Sequence, residues 1–234
     1  CIHGIRTPRD DLMFTVADRL AEIGTRRSHY IGPRVGDGSD YLPYAFLYDA
    51  ATIEMDAASA YVVDDRDDAL TYDPLVGHFR ARGPSPAAAI TFSVMLWQTH
   101  ADRALEEAAL LGPLVRTIRS DGSGEDDLIV AAQLGVDRES ARSYYQPLGL
   151  RLGDPNLDGL GTSGGRNELL LFDPLATKEF SGAAGSENIV RRFNFSVDEA
   201  TSRFGSFPVW LSLRKLEGGV AGSVSAERDD VDHF

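Results

Sequence analysis

Residues 92–136 read FSVMLWQTHADRALEEAALLGPLVRTIRSDGSGEDDLIVAAQLGV and contain the clearest structural pattern of the chain. Phe92 to Trp97 is a continuous apolar run, typical of a strand that is buried on both faces. Leu128 to Ala132 is a second such run. Between the two runs, apolar residues recur at helical spacing, at Leu111, Leu114, Val115 and Ile118. The pattern predicts two adjacent strands of one sheet, with a helix from Asp102 to Arg119 covering its face.

The flanking sequence adds short strands and helices on both sides of this unit. Pro113 lacks an amide donor and should kink or break the predicted helix. The spacing of apolar residues predicts an earlier helix over residues 9–23, and Ser196 to Glu199 fits a capping box that opens a later one. Further strands are predicted at Tyr44–Tyr48, Ile53–Met55, Ala60–Val63, Leu75–Arg80, Leu169–Phe172 and Phe207–Leu213. Strand clusters mixed with crossing helices indicate an α+β layered sandwich.

Composition narrows the class of protein. A hydrophobic fraction of 43% in 234 residues is typical of a packed globular domain. No apolar run approaches the roughly 20 residues that span a bilayer, and the chain does not open on a signal-peptide pattern. The single cysteine, Cys1, excludes an intramolecular disulfide and a cysteine-based zinc site. We predict that Cys1 is a small buried residue at the end of an apolar strand, with a lipid-attachment cysteine as the alternative.

The charge balance opposes binding to polyanions. The chain has 36 acidic and 23 basic residues, a formal charge of −13, and an acidic tail at about 222–234. Nucleic acid is therefore not an expected partner. Local positive charge near the beginning of the chain comes from Arg6, Arg9, Arg26, Arg27 and Arg34. We interpret these arginines as solvated helix and loop residues.

The two core strands end in residues that invite comparison with a nuclease family. The first ends in Gln98-Thr99 and the second in Ala132-Gln133-Leu134-Gly135, where DNase I-like phosphodiesterases have His-Thr and Gly-Asp-x-Asn. Matching stretches follow in the family's order at Ile31–Arg34, Tyr44–Asp49, Arg103–Ile118, Gly124–Asp127, Leu170–Asp173 and Pro208–Trp210. The chain resembles the endonuclease/exonuclease/phosphatase family, nearest to its DNase I-like bacterial members.

This resemblance implies one domain over residues 1–234. Its fold would be a four-layer α/β sandwich, in which two mostly antiparallel sheets pack face to face with helices outside. The opening strand of the family, which carries a metal-site asparagine, has no counterpart in the chain and is expected before Cys1.

The resemblance also implies chemistry whose residues are replaced here. The family uses Mg²⁺ held by carboxylates, a His–Asp pair that activates water, and a second histidine near the phosphate. The corresponding positions are Gly4, Leu42, Gln98, Gln133, Gly135, Glu168, Gly205 and Ser206. Glu168 is the one carboxylate among them. We therefore expect no metal, no cofactor and no catalytic residue.

The predicted function is a non-catalytic binding or structural module, whose partner would be a protein or other domains of a larger chain. The alternative is a divergent metal-dependent phosphodiesterase that uses Mg²⁺, Glu168 and a rearranged site.

Four further features have competing interpretations. Gly161 to Gly165 satisfies G-x-S-x-G around Ser163, but the segment lacks the strand-to-helix context of a nucleophile elbow and reads as a loop. The acidic run at 64–68 could gather a cation, but a solvated turn is the simpler interpretation. His100 and Asp102 could pair, or Asp102 could cap the following helix. Trp97 and Trp210 are predicted to be core residues.

Overall fold

The computed structural model describes residues 1–3, 5, 11–24, 27–37, 40–154, 167–204 and 206–218. Its strands are β1 (Ser28–Asp37), β2 (Asp40–Tyr48), β3 (Ile53–Val62), β4 (Leu75–Ala81), β5 (Thr91–Gln98), β6 (Leu128–Leu134), β7 (Arg151–Leu152), β8 (Asn167–Phe172), β9 (Phe180–Ser186) and β10 (Val209–Leu213). Its helices are α1 (Leu12–Glu22), α2 (Ala104–Ala108), α3 (Leu111–Arg119), α4 (Arg138–Tyr145), α5 (Ile189–Phe193) and α6 (Val197–Phe204). None of the helices in these ranges is long and apolar enough to cross a bilayer.

A six-stranded sheet forms the centre of the structure. Its strand order is β3-β4-β5-β6-β8-β7. Strands β5 and β6 are neighbours, as the sequence predicted, and they run parallel to each other. The other neighbouring strands are antiparallel. The two short strands predicted between residues 53 and 63 are one strand, β3, whose register with β4 shifts between Asp56 and Tyr61.

The parallel pair is buried on both faces, which explains its continuous apolar sequence. Met95 and Trp97 of β5 pack on the helix side of the sheet, together with Val130 of β6. Val94 and Leu96 of β5 pack on the opposite side. The side chains alternate between two cores, as the two-residue period of a strand requires.

The helix that crosses from β5 to β6 is broken, as Pro113 led us to expect. A 3-10 turn at Ala101–Arg103 leads into α2, and a turn at Ala109 and Leu110 separates α2 from α3. Pro113 lies in the first turn of α3, where a missing amide donor breaks no intrahelical hydrogen bond. The four predicted apolar residues of α3 are all buried against the sheet.

Two antiparallel strand pairs, β1–β2 and β9–β10, provide the second strand layer. Val35, Leu42 and Phe46 of the first pair are buried against the six-stranded sheet, and Leu211 and Leu213 of the second pair pack against the same core. Helix α1 buries Met13 on the outer side of the β1–β2 pair, beside Ala45. The α+β sandwich is confirmed, with the second sheet present as two separate strand pairs in the described ranges.

Two predictions about buried residues are wrong. Cys1 is exposed, because strand pairing with β2 ends at the single bridge between Ile2 and Ala45 and leaves Cys1 outside the core. Trp210 is 47% exposed, because its ring lies over the bare backbone of Gly185 at the surface of the β9–β10 pair. Trp97, by contrast, is fully buried as predicted.

Gly77 of β4 gives a direct test of how the two strand layers pack. A Cβ at Gly77 would lie 2.7 Å from Cε2 of Phe46 and 3.2 Å from the terminal methyl of Met55. We expect Gly77→Ala to lower the free energy of unfolding, measured by urea denaturation, by about 1–3 kcal/mol, because the added methyl overpacks this interface. Gly153→Ala is the matched control, since its Cβ would meet no atom closer than 3.4 Å and the change should stay within about 0.5 kcal/mol. Equal losses for both variants would contradict this account.

Candidate functional site

Three of the candidate positions lie in line across three neighbouring strands. Gln98 at the end of β5 is paired with Gln133 of β6, and Gln133 is paired with Glu168 of β8. Because β5 and β6 are parallel, their carboxyl ends meet at the same edge of the sheet. The alignment of these positions at one edge follows from that geometry.

Glu168 accepts two hydrogen bonds at this edge. The Gln133 side-chain amide donates a hydrogen bond of 2.5 Å to Oε1 of Glu168. The Ser206 hydroxyl donates one of 2.8 Å to the same oxygen. The structure thus brings together Gln133, Glu168 and Ser206, three of the residues that sequence comparison assigned to the site. Both donors are uncharged at neutral pH.

Gln98 lies deeper than its neighbours. Its backbone amide donates to the hydroxyl of Tyr44 at 3.2 Å, and its side chain is 2% exposed. The side-chain oxygen of Gln98 is buried and has no hydrogen-bond partner in the described part of the chain. Burial raises the pKa of Tyr44 far above its usual range, so the phenol stays neutral.

His3 extends the same buried region. Its ring meets the ring of Tyr44 edge-on, with centroids 6.0 Å apart. Burial lowers the pKa of His3 to about 4, so its imidazole is neutral at pH 7. Its Nδ1 atom has no hydrogen-bond partner among the described residues. The side chains of His3 and Tyr44 are therefore buried, uncharged polar groups.

Gly135 shapes the turn that follows β6. Its amide donates to the Thr99 hydroxyl at 2.9 Å, and the Thr99 amide donates to the carbonyl of Gln133 at 3.1 Å. A Cβ at Gly135 would lie 2.9 Å from the Cβ of Ala104 in α2. Helix α2 therefore closes the space that a side chain at position 135 would occupy.

Glu107 holds the loop after β5 in place, and the sequence analysis missed it. Its side chain is fully buried, and Oε1 accepts hydrogen bonds from the amide and hydroxyl of Thr71, at 3.0 and 2.6 Å. Oε2 accepts one of 2.7 Å from the His100 amide. An available signal was that Glu107 interrupts the buried helical stripe between Ala104 and Leu111. A carboxylate on such a stripe needs internal donors.

The remaining candidates have other roles or lie elsewhere. Leu42 is fully buried in the core between the strand layers. His100 caps the 3-10 turn, because its Nδ1 accepts from the Asp102 amide, so the prediction that Asp102 is the cap is wrong. The acidic run forms a turn in which Asp64 pairs with Arg66 and Asp65 accepts from the Leu70 amide. Gly4, Ser163 and Gly205 lie outside the described residues, as do Arg6, Arg9 and Arg26.

A surface groove of about 600 Å³ lies at the opposite end of β5 and beside β3 and β4. Its lining includes Thr91 at the start of β5 and His78, whose Nδ1 lies 2.8 Å from the Ser93 hydroxyl. Glu54 and Arg80 form an ion pair of 2.7 Å in its wall. None of the described residues at positions assigned to the family's chemistry lines this groove.

Comparison with known proteins establishes the fold. No protein-family model and no curated protein matches the chain. A functionally unknown conserved protein from Enterococcus faecalis V583 is 11% identical, with a TM-score of 0.51 over 84% of this chain and 80% of that chain. An endonuclease/exonuclease/phosphatase from Bacteroides vulgatus is 9% identical, with a TM-score of 0.50 over 86% of this chain and 89% of that chain. At these identities the likeness concerns the fold alone.

The buried position of Glu107 leads to a stability prediction. We expect Glu107→Gln to lower the free energy of unfolding by about 1–3 kcal/mol, because an amide NH₂ would replace an acceptor that faces N–H and O–H donors. Glu106→Gln in the same helix is the control, since the Glu106 side chain is 80% exposed. Thermal and urea unfolding of both variants measure the difference. A loss in Glu106→Gln as large as in Glu107→Gln would contradict a specific role of the buried carboxylate.

Proposed function

Because this chain has the fold of the endonuclease/exonuclease/phosphatase proteins, we propose that it is a DNase I-like domain without metal-dependent phosphodiesterase activity. It acts as a binding or structural module for a protein partner or for other domains of a larger chain. The family's reaction requires a divalent metal, a base that deprotonates the attacking water and a hydrogen-bond donor near the phosphate.

The state of Glu168 is the observation that carries the proposal. A divalent cation such as Mg²⁺ prefers several oxygen ligands, including carboxylates. Here the neighbours of Glu168 are donors, since the Gln133 amide and the Ser206 hydroxyl both direct hydrogens at Oε1. A cation on that oxygen would have to displace both hydrogen bonds. Among the described residues, Glu168 belongs to no group of three potential metal ligands that lie close together.

The residues at two other positions of the family's site, Gln98 and Gly135, support the same proposal. Gln98 stands where the family has a histidine, and its amide cannot exchange a proton near neutral pH. Gly135 stands where the family has an asparagine, and Ala104 fills the space beside it. The replacement at position 135 is therefore matched by the packing of α2 around it, as expected of a site whose original chemistry is no longer used.

The first prediction from this proposal concerns activity. We expect the purified chain to leave supercoiled plasmid intact in the presence of Mg²⁺ or Mn²⁺, and Gln98→His alone to remain inactive, because catalytic parts that act as a unit are not restored singly. A plasmid-nicking assay with an EDTA control measures this. Metal-dependent nicking that co-purifies with the chain and disappears in Glu168→Ala would contradict the proposal and favour the divergent phosphodiesterase.

The second prediction concerns the closed space at position 135. We expect Gly135→Ala to lower the free energy of unfolding by about 1–3 kcal/mol, because its methyl would overlap the methyl of Ala104. In a double-mutant cycle with Ala104→Gly, the two changes should couple by about 0.5–3 kcal/mol, since the second removes the clash created by the first. Additive effects would show that position 135 is open to a side chain, and would remove this support for the proposal.

A further inference from the structure

Three acidic residues from distant parts of the chain converge at the end of the sheet opposite Gln98 and Gln133. Asp127 immediately precedes β6, Glu179 immediately precedes β9, and Glu217 follows β10. One carboxylate oxygen from each lies within 4.8 Å of the others. The fold, rather than a local sequence motif, brings these residues together.

Two of the three acidic residues are buried deep in the fold. Asp127 is 1% exposed and Glu179 is 2% exposed. In the described ranges, no lysine, arginine or histidine forms an ion pair with Asp127, Glu179 or Glu217. Burying carboxylates without a cation is costly, so like charges in this position need a proton or a positive ligand.

Several oxygens in the cluster have unused acceptor capacity. Oδ1 of Asp127, Oε2 of Glu179 and Oγ1 of Thr177 are buried and make no hydrogen bond to the residues that the structure describes. The Thr177 hydroxyl lies close enough to Asp127 to lower the pKa of the Asp127 carboxyl, although the two groups are not hydrogen-bonded. Thr177 itself is 1% exposed. Thus a third buried oxygen, from a residue that is not acidic, lies beside the Asp127 carboxyl.

Backbone amides fix the orientation of the carboxylates. Oε1 of Glu179 accepts a hydrogen bond of 2.7 Å from the Gly218 amide, and Oε2 of Glu217 accepts one of 3.2 Å from the Thr91 amide. These contacts hold one oxygen of each glutamate and leave the other available. A set of oxygens held in this way is pre-organised for a ligand.

We propose that Asp127, Glu179, Glu217 and the Thr177 hydroxyl form a divalent-cation site suited to Ca²⁺. Ca²⁺ binds oxygen ligands at about 2.3–2.6 Å, so oxygens up to 4.8 Å apart can share one ion, and water completes its 6–8 ligands. The site joins the starts of β6 and β9 to the segment that follows β10. Its occupant therefore ties the strand layers together, at a distance from Glu168.

The titration of the cluster agrees with this geometry. Burial, followed by the charges of Glu179, Glu217 and Glu125, raises the pKa of Asp127 to about 7. Burial, followed by Glu179, Glu125 and Asp126, also raises the pKa of Glu217. Because the folded pKa of Asp127 exceeds its ordinary value of 3.8, its contribution to metal-free stability falls as pH rises from about 4 to about 7. A bound cation would compensate the charge of the Asp127 carboxylate at neutral pH and so remove this loss of stability.

The test is calorimetric titration of the EDTA-treated chain with Ca²⁺ at pH 8, combined with thermal unfolding. We expect one Ca²⁺ per chain, and a Tm that rises by roughly 5–10 °C at a hundredfold excess over Kd. Asp127→Asn and Glu217→Gln should each weaken Ca²⁺ binding at least tenfold. Glu217 is exposed, so its variant should retain the fold. Asp127→Asn should also raise the Tm in EDTA, because it removes a buried charge.

Glu168→Gln is the control that distinguishes this cation site from the site formed by Gln133, Glu168 and Ser206. We expect this variant to bind Ca²⁺ as the unmodified chain does. The proposed cation site is separate from the site around Glu168 and goes beyond the proposed function. Loss of Ca²⁺ binding in Glu168→Gln would place the cation at Glu168 instead. Absence of saturable Ca²⁺ binding, or binding that survives both Asp127→Asn and Glu217→Gln, would overturn the site. The cluster would then hold a shared proton.

Discussion

Parallel strands cannot be joined by a tight turn, because the chain must return to the starting edge of the sheet before the second strand begins. For β5 and β6 this return is made by α2 and α3, which therefore lie on one face of the sheet. The other face is covered by the two strand pairs. The parallel pair is thus buried on both sides, and the same geometry places the ends of β5 and β6 at a common edge. The alignment of Gln98, Gln133 and Glu168 depends on that arrangement.

The two edges of this sheet differ in their electrostatics. At the carboxyl ends of β5 and β6, the Glu168 carboxylate accepts hydrogen bonds from two uncharged donors, Gln133 and Ser206, and His3 and Tyr44 are held neutral by burial. At the opposite edge, carboxylates converge without hydrogen-bond donors for all their oxygens. The acidic cluster of potential cation ligands therefore lies at the edge of the sheet opposite Glu168. The proposed loss of one site and the proposed cation site follow from the same distribution of charge.

The sequence predicted the parts of the fold that depend on local patterns. The apolar runs at Phe92–Trp97 and Leu128–Ala132 identified the central strands, because burial on both faces removes polar alternation. Pro113 correctly indicated a broken helix. Resemblance to a known family aligned Gln133, Glu168 and Ser206 with one site, and the structure places the three in contact.

The wrong or missed predictions concern residues that contact distant segments of the chain or lie near the ends of helices and strands. Asp127, Glu179 and Glu217 meet only after β9 and β10 have packed beside the start of β6, so no spacing in the sequence reveals them. The role of His100 as a cap depended on which ring nitrogen faces the Asp102 amide. Trp210 was expected in the core because it lies in a strand pattern. A strand has two faces, however, and the sequence alone does not show which face is covered.

The most direct test of the account is a crystal structure of the chain grown with Mn²⁺, in which anomalous scattering locates every bound ion. The account predicts no Mn²⁺ within coordination distance of Glu168, with the Gln133 and Ser206 hydrogen bonds to its carboxylate intact. An ion coordinated by Glu168, with those hydrogen bonds displaced, would contradict the central claim that this site has lost its metal chemistry.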